Sequence, residues 1–484
     1  MNRRHGRNLV RFKSGKIACG VLAFAAAALF TTSASAQAWL KDRRFQEGSG
    51  IKAGDLELHP GIAGEVGYDS NWFLRTNKTA PDNVNGAPQL PVRDAGVIRI
   101  TPSFSIATRG EQRSEGSSDG SAAALPVVVF RGSADATYRE FIGAQEIRDQ
   151  RNLSGQANVR ADFLPGRVIG FGVFGGYVRT IRPTVLGNPD ESFNRSDLIG
   201  GGEVVVTPGG GTLDLRGGYQ VQAALFEQTQ GVPFSNITHE VAVRNRWKFR
   251  PRTALFHYTT LRFVNYLNPE RSQNFLNDSA PLRSEFGVTG LVTPRFSVLA
   301  AAGYGASFQR NGESAATRQY DSIMGQAEAT FYLSANPGAS DPGQVGLALS
   351  TISLGYVRDF QQSYVGNFYG SDKGYARLTY FFGGKAILNI DGSVGAVQYP
   401  DVFIVPSPGA TPTKAQDAWT DIRIGSTLFA EYRFTDAFGV NTTLDYSHNV
   451  SNTRLPAGGT AATPQFFDMN WQRFQAFLGA RYFL

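Results

Sequence analysis

The sequence predicts an all-β fold: a transmembrane antiparallel β-barrel of about 18 strands, with short periplasmic turns and long extracellular loops. Three observations predict it. Segments of about 10–14 residues alternate apolar and polar side chains with period two. Short and long connections alternate between those segments. Charges inside the segments keep to one parity, as they must if the other parity faces lipid.

The chain begins with an export address. Its 484 residues hold 47 Lys and Arg against 40 Asp and Glu, a formal charge of +7. Six of the basic residues lie in residues 1–36, which contain no acid, leaving 41 basic against 40 acidic residues. The basic stretch Met1–Lys16 precedes the apolar run Ile17–Phe30. Ala34-Ser35-Ala36 follows as a small-x-small cleavage site, with Ala34 and Ala36 as the recognised residues. The single cysteine, Cys19, leaves with that peptide, which excludes a disulfide scaffold. Without it the balance is nearly neutral, so no nucleic-acid partner is expected. Residues 37–54, polar and charged, form a periplasmic lead-in, and the barrel occupies 55–484.

Strands follow over approximately 56–69, 96–108, 126–141, 152–164, 167–180, 196–207, 212–226, 238–249, 253–265, 282–292, 295–308, 319–333, 345–359, 374–382, 385–397, 421–434, 437–449 and 468–484. The segment Leu153–Phe163 sets Leu153, Ala157, Val159, Ala161 and Phe163 against Ser154, Gln156, Asn158, Arg160 and Asp162. In the last strand Phe474, Ala476, Leu478, Ala480, Tyr482 and Leu484 oppose Arg473, Gln475, Gly479 and Arg481, with Phe477 and Phe483 as exceptions. Such strands exceed the usual ~5–6 residues of soluble sheets and match the ~9–11 tilted residues that cross a bilayer. An even count puts both termini in the periplasm.

Short turns are expected near 164–166, 207–211, 250–252, 293–295, 383–385 and 435–437, and longer loops near 181–195, 227–237, 267–281, 309–319, 361–373, 398–420 and 451–466. Pro165, Pro208, Pro251, Pro294 and Pro337 recur every 43 residues in or beside the short connections. Proline is excluded from central strands, so it marks turns. A β-propeller blade has a similar period, but it packs four short strands into that length and carries a W-D signature that this chain lacks.

One parity of these strands forms the expected channel lining: Glu65, Arg99, Arg131, Asp135, Arg160, Asp162, Arg216, Glu240, Arg244, Arg246, Lys248, Arg262, Arg423, Glu431 and Arg433. A lipid-facing Arg or Lys at mid-membrane would cost about 2–4 kcal/mol. Arg216, Arg244, Arg246 and Lys248 come from consecutive strands near the periplasmic side. They form either a basic strip that draws in anions or a wall network paired with Asp214, Glu240 and their neighbours.

Gly479, Tyr482 and Leu484 resemble the terminal-strand signal read by the outer-membrane barrel-assembly machinery, although such chains usually end in Phe. The stretch Gly61-Ile62-Ala63-Gly64-Glu65-Val66-Gly67-Tyr68-Asp69-Ser70-Asn71-Trp72-Phe73 resembles the first strand of a family of bacterial outer-membrane β-barrel porins. Some members of that family are associated with exopolysaccharide export. The resemblance implies a channel, with polysaccharide as one solute class and a periplasmic secretion component as a partner. It implies no catalytic residues and no cofactor.

Enzyme motifs are absent. His59, His239, His257 and His448 form no H-E-x-x-H pattern or metal cluster. His257 and His448 fall on the lipid-facing parity and read as girdle or rim residues without a Ser or acid partner. Gly200–Gly202 read as strand glycines and Gly209–Gly211 as a turn, not as phosphate loops. The expected function is passage of a hydrophilic solute through a polar lumen in the bacterial outer membrane, among outer-membrane lipid and lipopolysaccharide. Polysaccharide export, general small-solute uptake and a closed structural or adhesive barrel stand as alternatives. Loops 70–95 and 398–420 are expected to set the constriction.

Overall fold

A computed structural model describes residues 50–76, 91–108, 126–182, 193–227, 234–268, 276–310, 319–333, 350–382, 385–404, 411–459 and 464–484. The expected export signal with Ala34 and Ala36, the lead-in residues 37–49 and Pro337 lie outside the described residues.

Eighteen strands build the wall. They are β1 Leu56–Asp69, β2 Ala95–Thr108, β3 Val128–Ile142, β4 Asn152–Phe163, β5 Ile169–Thr180 and β6 Arg195–Val206. Then come β7 Leu213–Phe226, β8 Asn236–Arg250, β9 Thr253–Tyr266, β10 Leu282–Thr293, β11 Phe296–Ala306 and β12 Asp321–Tyr332. The last six are β13 Thr351–Gln362, β14 Phe368–Phe382, β15 Ala386–Tyr399, β16 Trp419–Arg433, β17 Phe438–Val450 and β18 Trp471–Phe483. Each pairs antiparallel with the next. β18 returns to β1 in a register running from Gly61↔Phe483 to Asp69↔Gln475, so the sheet closes and keeps no free edge.

The period-two pattern explains the two faces. On β1, Ile62, Val66 and Tyr68 are exposed outward, while Ala63, Glu65 and Asp69 are buried inward. Outward aromatic residues gather at two levels. Trp247, Phe249, Tyr380, Phe382, Tyr432 and Phe434 mark the periplasmic end. Tyr68, Tyr138, Tyr304 and Tyr356 mark the other, where Tyr68 donates to Asp94 at 3.3 Å and Tyr356 to Asp372 at 2.5 Å. A closed barrel with an apolar band between two aromatic girdles is built for a bilayer, and the protein belongs to the bacterial outer membrane.

Phe477 and Phe483, which break the alternation of β18, point inward like the rest of their parity and are buried. Their rings lie over Gly67 and Gly61 of β1, where a Cβ would have no room. The glycines of the first strand and the extra phenylalanines of the last are two halves of one packing arrangement at the seam that closes the barrel. Gly479 faces inward against Glu65 and Asn441 for the same steric reason, while Tyr482 and Leu484 are exposed outward.

The segments outside the wall strands depart from expectation in four places. Two periplasmic connections are long, Thr108 to Val128 and Tyr332 to Thr351, so the alternation of short and long is incomplete. The expected loop 361–373 shrinks to residues 363–367, because β14 begins at Phe368. The end of the lead-in does not hang free: Ile51–Ala53 folds back on the start of β1 through Ile51↔Leu58 and Ala53↔Leu56. Among the described residues the short turns lie where expected; residues 383–384 of the expected turn 383–385 lie outside the described residues. Gly209, Gly210 and Gly211 carry φ of +67°, +64° and +85°, a backbone that glycine accepts without strain.

Candidate functional site

The lumen has two unlike walls. From β16 through β18 and on to β3 the inward side chains are packed together. Glu65 and Arg99 pair at 3.7 Å, and the Arg99 guanidinium lies 3.4 Å from the centre of the Phe477 ring. Asp69 accepts from Arg473 at 3.0 Å and from Gln475 at 2.8 Å. Glu431 is 3% exposed and takes hydrogen bonds from Arg433, at 2.8 Å, and from Arg481. Thr101 and Thr137 share a hydrogen bond of 3.0 Å, and Thr427 donates to Asp445 at 2.7 Å. Arg423 donates to Tyr399 at 2.7 Å and Asn449 at 3.3 Å. Glu65, Arg99 and Glu431, expected as channel lining, do turn inward, but they are buried and hold the wall together instead of meeting solute.

From β4 to β9 the inward side chains are looser. Arg160 bonds Asp162 at 2.9 Å and also Glu203 on β6. Arg216 pairs with Asp214 at 2.8 Å, and Arg262 with Glu240 at 2.5 Å. Arg131 stands in register with Arg160, and Asp135 accepts from Gln156 at 2.8 Å. These pairs use up the nearby acids. Arg244, Arg246 and Lys248 of β8 are exposed and, among the described residues, have no ion pair. The expected wall network therefore closes in contact between Arg216 and Asp214, while Arg246, in register with Asp214, and Lys248 act on that carboxylate only at longer range. A recess of about 500 Å³ opens there, bordered by Asp214, Arg216, Arg244, Arg246, Tyr258 and Glu285.

Two straps narrow the extracellular mouth. Residues 70–76, after β1, put Trp72 and Phe73 into an apolar cluster with Val97, Phe141, Ile147 and Phe477. Ile147 lies on the single-turn helix α1, Gln145–Arg148. Arg75 pairs with Glu146 of α1, and Arg93 donates to the same carboxylate at 3.1 Å. Partial burial pushes the Glu146 pKa up, but hydrogen bonds and charge from Arg75 and Arg93 outweigh it and hold the carboxyl below its ordinary range.

The second strap is Ser363–Asn367, between β13 and β14. Tyr364 stacks on Phe234 with centroids 4.8 Å apart and meets Phe226 edge-on at 5.5 Å. Its hydroxyl accepts from Arg195 at 3.4 Å, and Asn367 accepts the Asn277 N–H at 2.7 Å. Phe226 ends β7 and Phe234 precedes β8, with β9–β12 between them and the strap, so Tyr364 reaches over the mouth. Gly366 and Asn367 take φ of +69° and +70°, which lets the chain turn back so tightly. Sequence reading placed the constriction on 70–95 and 398–420. Residues 70–76 of the first form one strap, Pro400 and Val402 of the second pack beside Gly366 of the other, and residues 405–410 lie outside the described residues; the strap that crosses the mouth carries no local sequence signal.

The lipid face also holds a surprise. His257 is not alone: its Nε2 is 2.7 Å from Thr259 Oγ1 and 3.4 Å from Ser284 Oγ, and its Nδ1 is 3.3 Å from the Asn245 amide. The Thr259 signal was visible two residues along the strand, but Asn245 and Ser284 reach the site through strand register alone. His448, by contrast, is a rim residue, 3.5 Å from the Tyr446 hydroxyl.

No protein-family profile matches the chain, and no curated protein matches it in sequence. Solved structures of similar fold include OpdQ of Pseudomonas aeruginosa, with 10% identity, a TM-score of 0.42, and coverage of 89% of this chain and 98% of that one. OccAB4 of Acinetobacter baumannii is similar at 9% identity and a TM-score of 0.43, covering 90% and 99%. The ferric enterobactin receptor PfeA of Pseudomonas aeruginosa is similar at 10% identity and a TM-score of 0.42, covering 90% and 81%. None of these likenesses bears on the solute, which depends on the side chains of this lumen.

Proposed function

We propose that the protein is a passive outer-membrane channel for hydrophilic solutes, with a preference for anions. The observation that carries this reading is the trio Arg244, Arg246 and Lys248, exposed on the inner face and, among the described residues, in no ion pair within 4 Å. An anion 5 Å from one such charge gains about 0.8 kcal/mol even at the dielectric of bulk water. Three charges in a row make a path of modest steps, strong enough to concentrate anions and weak enough to release them. The packed wall opposite gives the passage a rigid side.

Conductance across planar bilayers under a salt gradient tests the reading. Open-channel current with a reversal potential on the anion side is expected. A barrel that never conducts would instead be the closed structural or adhesive form, and a cation-selective one would refute the role of the strip.

Polysaccharide export is the narrower form of this reading, supported by the resemblance of Gly61–Phe73 to the first strand of a porin family with export-associated members. Deletion of the gene distinguishes it. Loss of surface polysaccharide supports export through this channel with a periplasmic secretion component, whereas intact polysaccharide with reduced solute uptake supports a general porin.

A further inference from the structure

Between the two aromatic girdles the outward positions are almost all Val, Leu, Ile, Phe, Ala or Gly. Polar exceptions elsewhere stand singly or in pairs, such as Thr442, which donates to the Phe477 carbonyl at 3.0 Å, and Tyr219 with His239, 2.7 Å apart. On β8–β10 four of them meet: Asn245, His257, Thr259 and Ser284. They share one face, with Asn245 paired to His257 and Thr259 paired to Ser284 across neighbouring strands. Polar side chains facing hydrocarbon carry a cost that a lone ladder of hydrogen bonds does not require.

The order of the contacts is chemical. The structure sets Asn245 Nδ2 toward Nδ1; flipped about its Cβ–Cγ bond, the amide puts its oxygen there and accepts from Nδ1–H. Nε2 is then left as an acceptor, 2.7 Å from the Thr259 hydroxyl. Thr259 Oγ1 in turn lies 2.8 Å from Ser284 Oγ, which is itself 3.4 Å from Nε2. Phe286 stacks on the imidazole at 4.2 Å and fixes its plane. An orienting amide, a neutral imidazole and a primary hydroxyl in sequence are the parts of a hydrolase that uses a serine nucleophile.

The depth fits a lipid ester. Trp247, in the periplasmic girdle, is the next outward residue along β8 from Asn245, roughly 7 Å away along the strand. At the other end of the cluster Ser284 stands in register with Tyr304 of the extracellular girdle. Aromatic girdles sit at the headgroup level, so the hydroxyl lies beside it, where the acyl esters of the outer leaflet begin.

We propose that this cluster is a lipid-facing acyl-ester hydrolase site on the outside of the barrel, with phospholipid that reaches the outer leaflet as substrate. Ser284 Oγ attacks the ester carbonyl carbon while its proton passes to His257 Nε2, directly or through the Thr259 hydroxyl. The bond from that carbon to the glycerol oxygen breaks, and the oxygen takes the proton from Nε2. Water then attacks the acyl-serine, gives a proton to Nε2, and the Ser284 oxygen leaves with that proton, releasing the fatty acid. Asn245 is a positioning residue.

The test uses the full-length barrel in liposomes of phosphatidylethanolamine and phosphatidylglycerol, with released fatty acid and covalent labelling by a fluorophosphonate as readouts. The expected result is fatty-acid release together with a label that maps to Ser284. Ser284→Ala and His257→Asn are each expected to lower release by about 100-fold or more, and Ser284→Ala also loses the label. Channel conductance, unchanged in both variants, reports that the barrel is folded. Thr259→Val is expected to slow release without abolishing it. Wild-type protein that releases no fatty acid and takes no label overturns the proposal, as does Ser284→Ala that stays as active as wild type.

Discussion

The two walls of the lumen differ in what their charges do. In the wall from β16 to β3, Glu65 pairs with Arg99, Glu431 with Arg481 and Asp69 with Arg473, all buried or nearly so, and rings from Phe477 and Phe483 cover the glycines of β1. In the wall from β4 to β9, the acids are taken by Arg160, Arg216 and Arg262, and three cations on β8 remain in contact with solvent. The same residue types on the same strand parity thus serve closure in one half and solute contact in the other. Counting charges does not separate these roles; burial and partner do.

If that contrast is right, the largest effects on stability come from the packed wall. Glu431→Ala leaves Arg481 buried without its carboxylate, a loss of about 3–5 kcal/mol for a broken buried pair. A marked fall in the unfolding temperature in detergent is expected; a change within error would show that the wall carries no such load. Next comes the strap. Tyr364→Ala removes a ring stacked on Phe234 and edge-on to Phe226, contacts worth about 0.5–1.5 kcal/mol each beyond their burial. The expected readout is higher single-channel conductance with little change in selectivity, and an unaltered conductance would mean that the strap does not narrow the path.

The smallest effect is a pH dependence at the other strap. Because Arg75 and Arg93 hold the Glu146 pKa below its unfolded value, their stabilisation is fully present above the ordinary carboxylate range. It fades as pH falls through the depressed folded value. The hold on residues 70–76 should therefore be constant at neutral pH and weaken only in strong acid, seen as faster proteolysis or higher conductance there. Glu146→Gln should show that loosened behaviour already at pH 7.

The strands were legible because lipid enforces a strict parity: a charge on the wrong side is too costly to be common. Phe477 and Phe483 looked irregular only because their partners, Gly67 and Gly61, lie some four hundred residues earlier and meet them through barrel closure. The strap at Ser363–Asn367 left no local signal, since its meaning depends on Phe226 and Phe234 four strands away. The basic trio was visible as charge, but its exposure without a contact ion pair was not, because Asp214 and Glu240 had to be assigned to Arg216 and Arg262 first. Likewise His257 was visible as an outward histidine, while Ser284 and Asn245 arrived by register.

The central claim is that the open basic wall is the permeation path. The most direct measurement is the reversal potential of single channels under a tenfold KCl gradient, for wild type and for the combined variant Arg244→Gln, Arg246→Gln and Lys248→Gln. Wild type should be anion-selective, more so at low salt, where screening is weakest. The variant should lose most of that selectivity while keeping the wild-type unfolding temperature, because exposed substitutions of this kind usually change stability by no more than about 0.5 kcal/mol. A variant with unchanged selectivity would contradict the account.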